Sequence, residues 1–394
     1  MAMIGPGFAR RGGGRVIVLP GEWNVSMARA GWSVQVAAAL TAGAIAVGAA
    51  GCSNPPPRYA NKNDLVPAKP TAANAAEVAV TQPVHVSWLS GASGERAANG
   101  TYGRWRRAAV TIGGTWDNGN EEQVQLTSIC PGGAWARWRK PLDIAVGAID
   151  QTRGETWAAA AKGAYDRRWK LSFLKMKTCW GRRDPGNLYI RFAHEMNLGV
   201  MPWHVAGGQE ANFVKAITRY SNLRYKILPK AKIVLCPSDG TDVDLGVHVR
   251  SLWPGKDRAG RLVANIYAVD TYNGYIVVHN QREFDDKLHT TGKGDNPLGL
   301  ETHRQIAEDM GVPFAVSEWS NNGDPKDPGK GSEQPDYVLR MNAWFRDHAG
   351  NPKKPQAGKL LYEIQFNLKP RFAFLPTKLQ PKTAAAYRAL TWGH

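Results

Sequence analysis

The chain has 394 residues, too long for one small domain, with 43% hydrophobic and 21% charged residues, ordinary for a folded protein. Its formal charge is +17, of which residues 1–52 carry only +3 through Arg10, Arg11, Arg15 and Arg29 against Glu22. The remaining excess favours anionic partners or a solvated basic surface. No nucleic-acid-binding motif accompanies it, so nucleic acid is not an expected partner. Fifteen tryptophans are unusual; burial should account for most, and stacking platforms for the rest. Cys52, Cys130, Cys179 and Cys236 show no Cys-x-x-Cys pair or zinc-like spacing, so no thiol metal site is expected.

Residues 1–26 show little periodicity. Val34–Ala50 is apolar, alanine-rich and uncharged, and Ala49-Ala50-Gly51-Cys52 follows. Met27 is a plausible functional start, since Arg29 then supplies the positive charge before the apolar run. Small residues before a cysteine resemble a bacterial lipoprotein signal with Cys52 as the lipidated residue. A conventional signal peptide cut near Ala50 and a retained membrane anchor are the alternatives. Each implies a secreted or cell-envelope protein, touching the membrane only through its N-terminal anchor. Residues 53–83 are rich in Pro, Ala and Asn and read as a linker. The folded domain is expected over 84–394.

From Val84 onward, short β-rich apolar runs alternate with helical segments. Eight runs are expected: Val84–Leu89, Arg107–Ile112, Leu142–Gly147, Leu188–Ala193, Lys232–Cys236, Val263–Val269, Phe314–Ser317 and Leu360–Phe366. The helices between them are Glu155–Lys177, Gln209–Leu228, Gly299–Met310, Pro335–His348 and a last one near Thr383–Leu390. Eight repeats favour a closed (β/α)8 barrel as a single domain. An open doubly wound sheet is the alternative, but no G-x-G-x-x-G turn follows the first run. Cys130 and Cys179 fall in loops or helix ends expected near one barrel face, and are the preferred disulfide pair.

Barrels of this kind keep their chemistry at the C-terminal ends of the strands. The fourth run continues to Arg191-Phe-Ala-His194-Glu195-Met-Asn197, and strand alternation puts Arg191, Ala193 and Glu195 on one face. A buried Arg191 would hold a nearby carboxylate ionised. The seventh run ends Val-Ser-Glu318-Trp319 and brings Glu318 to the same mouth. Either glutamate alone could be a surface residue in a salt bridge; both closing buried strands on one face weakens that reading.

Arg191-x-x-His194-Glu195-Met196-Asn197 resembles the acid/base motif of glycoside hydrolase family 26, the β-mannanase family of the large retaining (β/α)8 clan. The resemblance spans roughly Val84 to Phe366. It implies Glu195 after the fourth strand as acid/base and Glu318 after the seventh as nucleophile. Tyr272, in Ala-Val-Asp270-Thr-Tyr272-Asn, takes the place of a tyrosine bonded to the nucleophile. His194 matches the family's His before the acid/base. Arg191, His194, Asn197, Trp203, Tyr272 and Trp319 are the candidate substrate-binding set; a buried structural histidine is the other reading of His194, loop-holding that of Asn197 and core packing that of the tryptophans. Trp88 and Trp116 could line the cleft or pack in the core. Asp239 fits a turn and Asp270 a brace of the sixth strand. The family's Trp at the end of the eighth strand is absent from Leu361-Tyr-Glu-Ile-Gln365-Phe366-Asn367.

The expected activity is retaining hydrolysis of a β-linked polysaccharide, mannan-like or a bacterial exopolysaccharide, by an O-glycosyl hydrolase that needs no metal or organic cofactor and works as a monomer. A catalytically silent carbohydrate-binding barrel and a transglycosidase in exopolysaccharide processing are the alternatives.

Overall fold

The computed structural model describes residues 87–240, 245–274, 277–326, 333–376 and 378–393. The leader, the linker, Cys52 and Val84–Val86 lie outside the described residues. Eight parallel strands close in sequence order into one barrel. They are β1 Leu89–Ser93, β2 Ile112–Asp117, β3 Leu142–Val146, β4 Leu188–Phe192, β5 Lys232–Leu235, β6 Ile266–Asn273, β7 Phe314–Asn321 and β8 Leu360–Gln365. The main shell helices are α1 Trp157–Lys162, α2 Asp166–Trp180, α3 Glu210–Ile227, α4 Gln281–Leu288, α5 Leu300–Asp309, α6 Pro335–Asp347 and α7 Pro381–Ala389. Among the described residues no helix is long and apolar enough to cross a membrane.

Each strand has two buried faces, as a parallel barrel requires. Leu142, Ile144 and Val146 of β3 meet the helical shell, while Ile112, Tyr189, Val234, Ile266 and Ile364 fill the barrel. Tyr189 and Tyr362 stack in that interior, ring centroids 5.3 Å apart. Local chemistry sets several helix ends. The Thr156 hydroxyl accepts from the Ala159 amide ahead of α1, and Asn280 caps α4 in the same way. Pro335 and Pro381 stand at first helical positions, where a missing N–H costs nothing.

Several expected boundaries move. The stretch expected as one helix over Glu155–Lys177 is two, because Gly163 takes a left-handed φ of 93° and ends α1. The first two strands lie about five residues later than the apolar runs suggested. Their sequences, LSGAS and IGGTWD, are small and glycine-rich, and packing selects them where β-propensity does not. A Cβ on Gly91 would lie 2.2 Å from the Ile112 carbonyl oxygen. A Cβ on Gly113 would lie 2.1 Å from the Trp135 ring. Trp88 therefore precedes β1, and is buried against Phe345 in the core and not at the mouth.

Arg106 ties β1 to the last helix. Its guanidinium donates to the Ser90 hydroxyl and carbonyl and to the Tyr387 hydroxyl, all buried. Cys130 and Cys179 form a disulfide, and Cys236 is a buried free thiol.

Gly113→Ala should lower stability by about 1–3 kcal/mol, read by urea unfolding, because the buried Trp135 ring has no room to withdraw. Cys130→Ser should cost about 2–4 kcal/mol, since the bridge closes a loop of 49 residues; reductant should reproduce that loss in the parent chain and leave the variant unchanged.

Candidate active site

Arg191 is the organising residue. It projects from β4 into the barrel with a side chain that is fully buried. Its Nε donates to Asp143 Oδ1 at 2.6 Å, and its Nη1 to Glu318 Oε1 at 2.6 Å and Asp270 Oδ2 at 3.1 Å. One fixed positive charge thus holds carboxyls from β3, β6 and β7. Asp143 also accepts from Tyr362 and Ser317. Burial pushes the Asp270 carboxyl well up, and the Glu318 charge pushes it further against the pull of Arg191. The Cys236 thiol, 3.2 Å from Asp270 Oδ1, completes its surroundings.

Glu318 lies within β7, not after it. Strict alternation would turn it toward the helices, because Ala315 and Ser317 already face inward. A register shift between Val316 and Trp319 breaks the alternation, and Ser317 and Glu318 both reach the interior. Glu318 then receives three donors. Tyr272 Oη donates to Oε2 at 2.6 Å, Trp116 Nε1 to Oε1 at 2.8 Å, and Arg191 to the same oxygen. Burial works to raise this carboxyl; Arg191 and the Tyr272 hydroxyl outweigh it and hold it below its ordinary value.

Glu195 reaches the mouth by a different route from the one expected. β4 ends at Phe192, and Ala193 is packed into the outer core, not under Glu195. Ala193 and Glu195 both take left-handed φ values, 53° and 52°. Such values are uncommon for non-glycine residues and gather where a site over-determines the backbone. The Ala193 amide donates to the Val146 carbonyl and the Glu195 amide to the Cys236 carbonyl, which pins the turn between β3 and β5. Burial raises the Glu195 carboxyl and repulsion from Glu318 adds to it, so it stands at about 8. The two glutamates therefore divide into a carboxyl held charged and a carboxyl held neutral, close enough to act on each other electrostatically.

The other expected site residues divide. His194 is 4% exposed, and its pKa is pushed down to about 3 by burial, then by Arg191. It is a neutral imidazole beside the acid pair. Asn197 is a correction to the substrate-binding set: it is fully buried, accepts from the Ser238 amide, and donates to the Ser238 and Gly240 carbonyls. It holds the β5 loop. Trp319 is a second correction. It is fully buried in the helical shell, packs on Phe345 and Trp392, and donates to Glu363. The same bulge that turns Glu318 inward leaves its neighbour outward. Trp203 is 4% exposed, and its indole N–H donates to the His194 carbonyl, so it supports the turn and offers no open face. Arg191 is fully buried and turned onto Glu318, so it is not an open substrate contact.

Trp116, Phe366 and Phe372 complete the aromatic wall. Trp116 and Phe366 meet edge to face at 5.4 Å, and Tyr272 packs on Phe366 at 5.8 Å and Phe372 at 4.9 Å. Phe366 directly follows β8. Asp143, a polar residue inside a buried apolar run, is the sequence signal for the Arg191 cluster. Among the described residues no group of three or more His, Cys, Asp or Glu could hold a metal ion.

No family sequence model matches the chain, and no curated protein matches it in sequence. Solved structures do share its fold. A modular endo-β-1,4-mannanase from Cellulomonas fimi, of glycoside hydrolase family 26, superposes with a TM-score of 0.51 at 14% identity, over 77% of this chain and 70% of that one. The endo-β-1,4-mannanase of Thermotoga petrophila gives 0.50 at 10% identity, over 78% and 76%. At these identities the likeness establishes the (β/α)8 barrel fold.

Tyr272→Phe should move the Glu318 carboxyl titration upward in a carbon-13 NMR experiment with labelled glutamate. A hydrogen bond to an ionised group contributes about 1.5–3 kcal/mol, more than one to the neutral acid, so losing it favours protonation.

Proposed function

We propose that the chain is a retaining glycoside hydrolase of polysaccharide, with Glu318 as nucleophile and Glu195 as acid/base. The observation that carries this reading is the Glu318 carboxyl held by Tyr272, Trp116 and Arg191, with Glu195 set just past the end of β4, where burial and the Glu318 charge favour its protonated form. Retaining catalysis needs that division between its two carboxyls.

A Glu318 oxygen attacks the anomeric carbon as the bond to the leaving oxygen breaks, and the Glu195 proton passes to that oxygen. The product is a glycosyl ester on Glu318. Glu195, now a carboxylate, takes a proton from water, whose oxygen attacks the anomeric carbon and releases Glu318. Tyr272, Trp116 and Arg191 hold the nucleophile oriented and charged before substrate arrives, so little reorganisation accompanies attack. The aromatic wall of Trp116, Phe366 and Tyr272 suits the apolar face of a sugar ring. Phe366 stands where the family resemblance implies a tryptophan, a smaller platform that favours a glycan other than mannan. A sugar hydroxyl in place of water would give transglycosylation from the same intermediate. The Cys130–Cys179 bridge and the apolar run Val34–Ala50 support a place outside the cytoplasm, where disulfides persist.

The test is a screen of mannans, glucans and acidic exopolysaccharides, with product stereochemistry read by proton NMR. Retention is expected, and inversion would remove the covalent mechanism. Glu318→Ala should abolish turnover. Glu195→Ala should keep part of its activity on aryl glycosides with good leaving groups and gain rate with azide. Equal rates for both variants and the parent would overturn the assignment. In the parent, kcat/KM should fall as pH rises through about 8, where Glu195 loses its proton, and fall in acid only below the ordinary carboxylate range, where Glu318 gains one.

A further inference from the structure

We propose that the groove beside the catalytic mouth, between the loops after β1 and β8, binds an acidic sugar unit of the substrate through Arg96, Lys369 and Lys378. This deepens the hydrolase reading and rests on it for the word substrate.

The groove has a volume of about 510 Å³, within the size range of small-molecule sites, and is lined by Gly94, Arg96, Asn367, Lys369, Pro376 and Lys378 among others. It lies on the C-terminal face of the barrel, since its walls begin one residue past Ser93 of β1 and two past Gln365 of β8. Its walls are formed in advance. The Asn367 side chain accepts from the Phe374 and Leu375 amides and donates to the Leu375 carbonyl, which fixes the β8 loop. Gly94, at φ 86°, lets the β1 loop close on that wall: a Cβ there would lie 2.8 Å from Leu368 Cδ2.

The charge of this groove is unbalanced. Arg96, Lys369 and Lys378 are exposed, and among the described residues none of them pairs with a carboxylate. Glu95 is the one acidic residue of the lining. Three cations against one anion in a concave site focus a positive potential on whatever enters. The groove shares the barrel face of the two glutamates, and its wall residue Asn367 follows Phe366 of the aromatic wall. A chain leaving Glu318 along Phe366 comes to the β8 loop, which carries Lys369 and Lys378. Carboxylate-bearing sugars suit those cations; a neutral glycan gives them nothing to pair with.

The test measures binding to the full chain carrying Glu318→Ala, so that nothing is cleaved. The probes are hexamers of galacturonate, mannuronate, guluronate and hyaluronan, each beside its carboxyl-reduced form. At least one acidic hexamer should bind about tenfold tighter than its reduced form at low salt, and the preference should fade at high salt. Adding Arg96→Gln and Lys378→Gln should remove about tenfold from that binding and leave the affinity of the reduced hexamer unchanged. Equal affinity for acidic and reduced forms, or an acidic preference that survives both substitutions, would overturn the proposal. So would binding to phosphatidylglycerol vesicles, lost in the double variant, with no acidic hexamer bound. Failure of the hydrolase reading is distinguishable: an acidic preference in a chain whose turnover does not depend on Glu318 would leave the groove standing and remove the mechanism.

Discussion

A single buried guanidinium sets the terms for this barrel. Taking Arg191 out of water is expensive and is offset only if its charge and its donors are met by well-placed acceptors. Asp143, Asp270 and Glu318 meet them from three strands, so the interior of the barrel and the state of Glu318 are fixed together. Removing any one carboxyl would leave the other two with an altered share of one positive charge. The same interaction that specifies strand placement inside the barrel keeps Glu318 ionised in an environment where burial alone would protonate it.

The contrast with Glu195 follows from what each carboxyl can reach. Glu318 has three donors; Glu195 has burial and a negative neighbour. Neither residue gets to its position by regular strand geometry. One depends on an extra residue in β7, the other on a turn with two left-handed residues held by the Val146 and Cys236 carbonyls. Departures from ideal backbone sit at the two positions where the proposed chemistry needs them, which is where a fold tolerates local strain.

The tryptophans illustrate how one residue type serves two ends. Trp169, Trp319 and Trp392 are fully buried, tying strands to helices or helices to one another. Trp116 is partly exposed, and its indole N–H donates to Glu318. The basic excess divides similarly: Arg106 and Arg191 are internal braces, whereas Arg96, Lys369 and Lys378 line an open groove.

The sequence by itself determined the barrel, because eight strand–helix repeats with two-sided apolar strands admit few other closed arrangements. It singled out Glu195 and Glu318 as a pair at the C-terminal ends of buried strands, and it pointed to the Cys130–Cys179 bridge. What it could not determine follows from the same physics. β1 and β2 are built from glycines, whose place is selected by close approach of neighbouring strands and leaves no local propensity signal. The bulge at Ser317 and the left-handed Ala193 and Glu195 are backbone responses to packing, invisible to an alternation argument that assumes a regular strand. Trp319 and Asn197 carry residue types that suit a sugar site, but side-chain direction is a tertiary property: the bulge turns Trp319 into the helical shell, and the β5 loop takes every hydrogen bond Asn197 offers. The partnership of Arg191 with Asp143, 48 residues away in sequence, exists only once the sheet has closed.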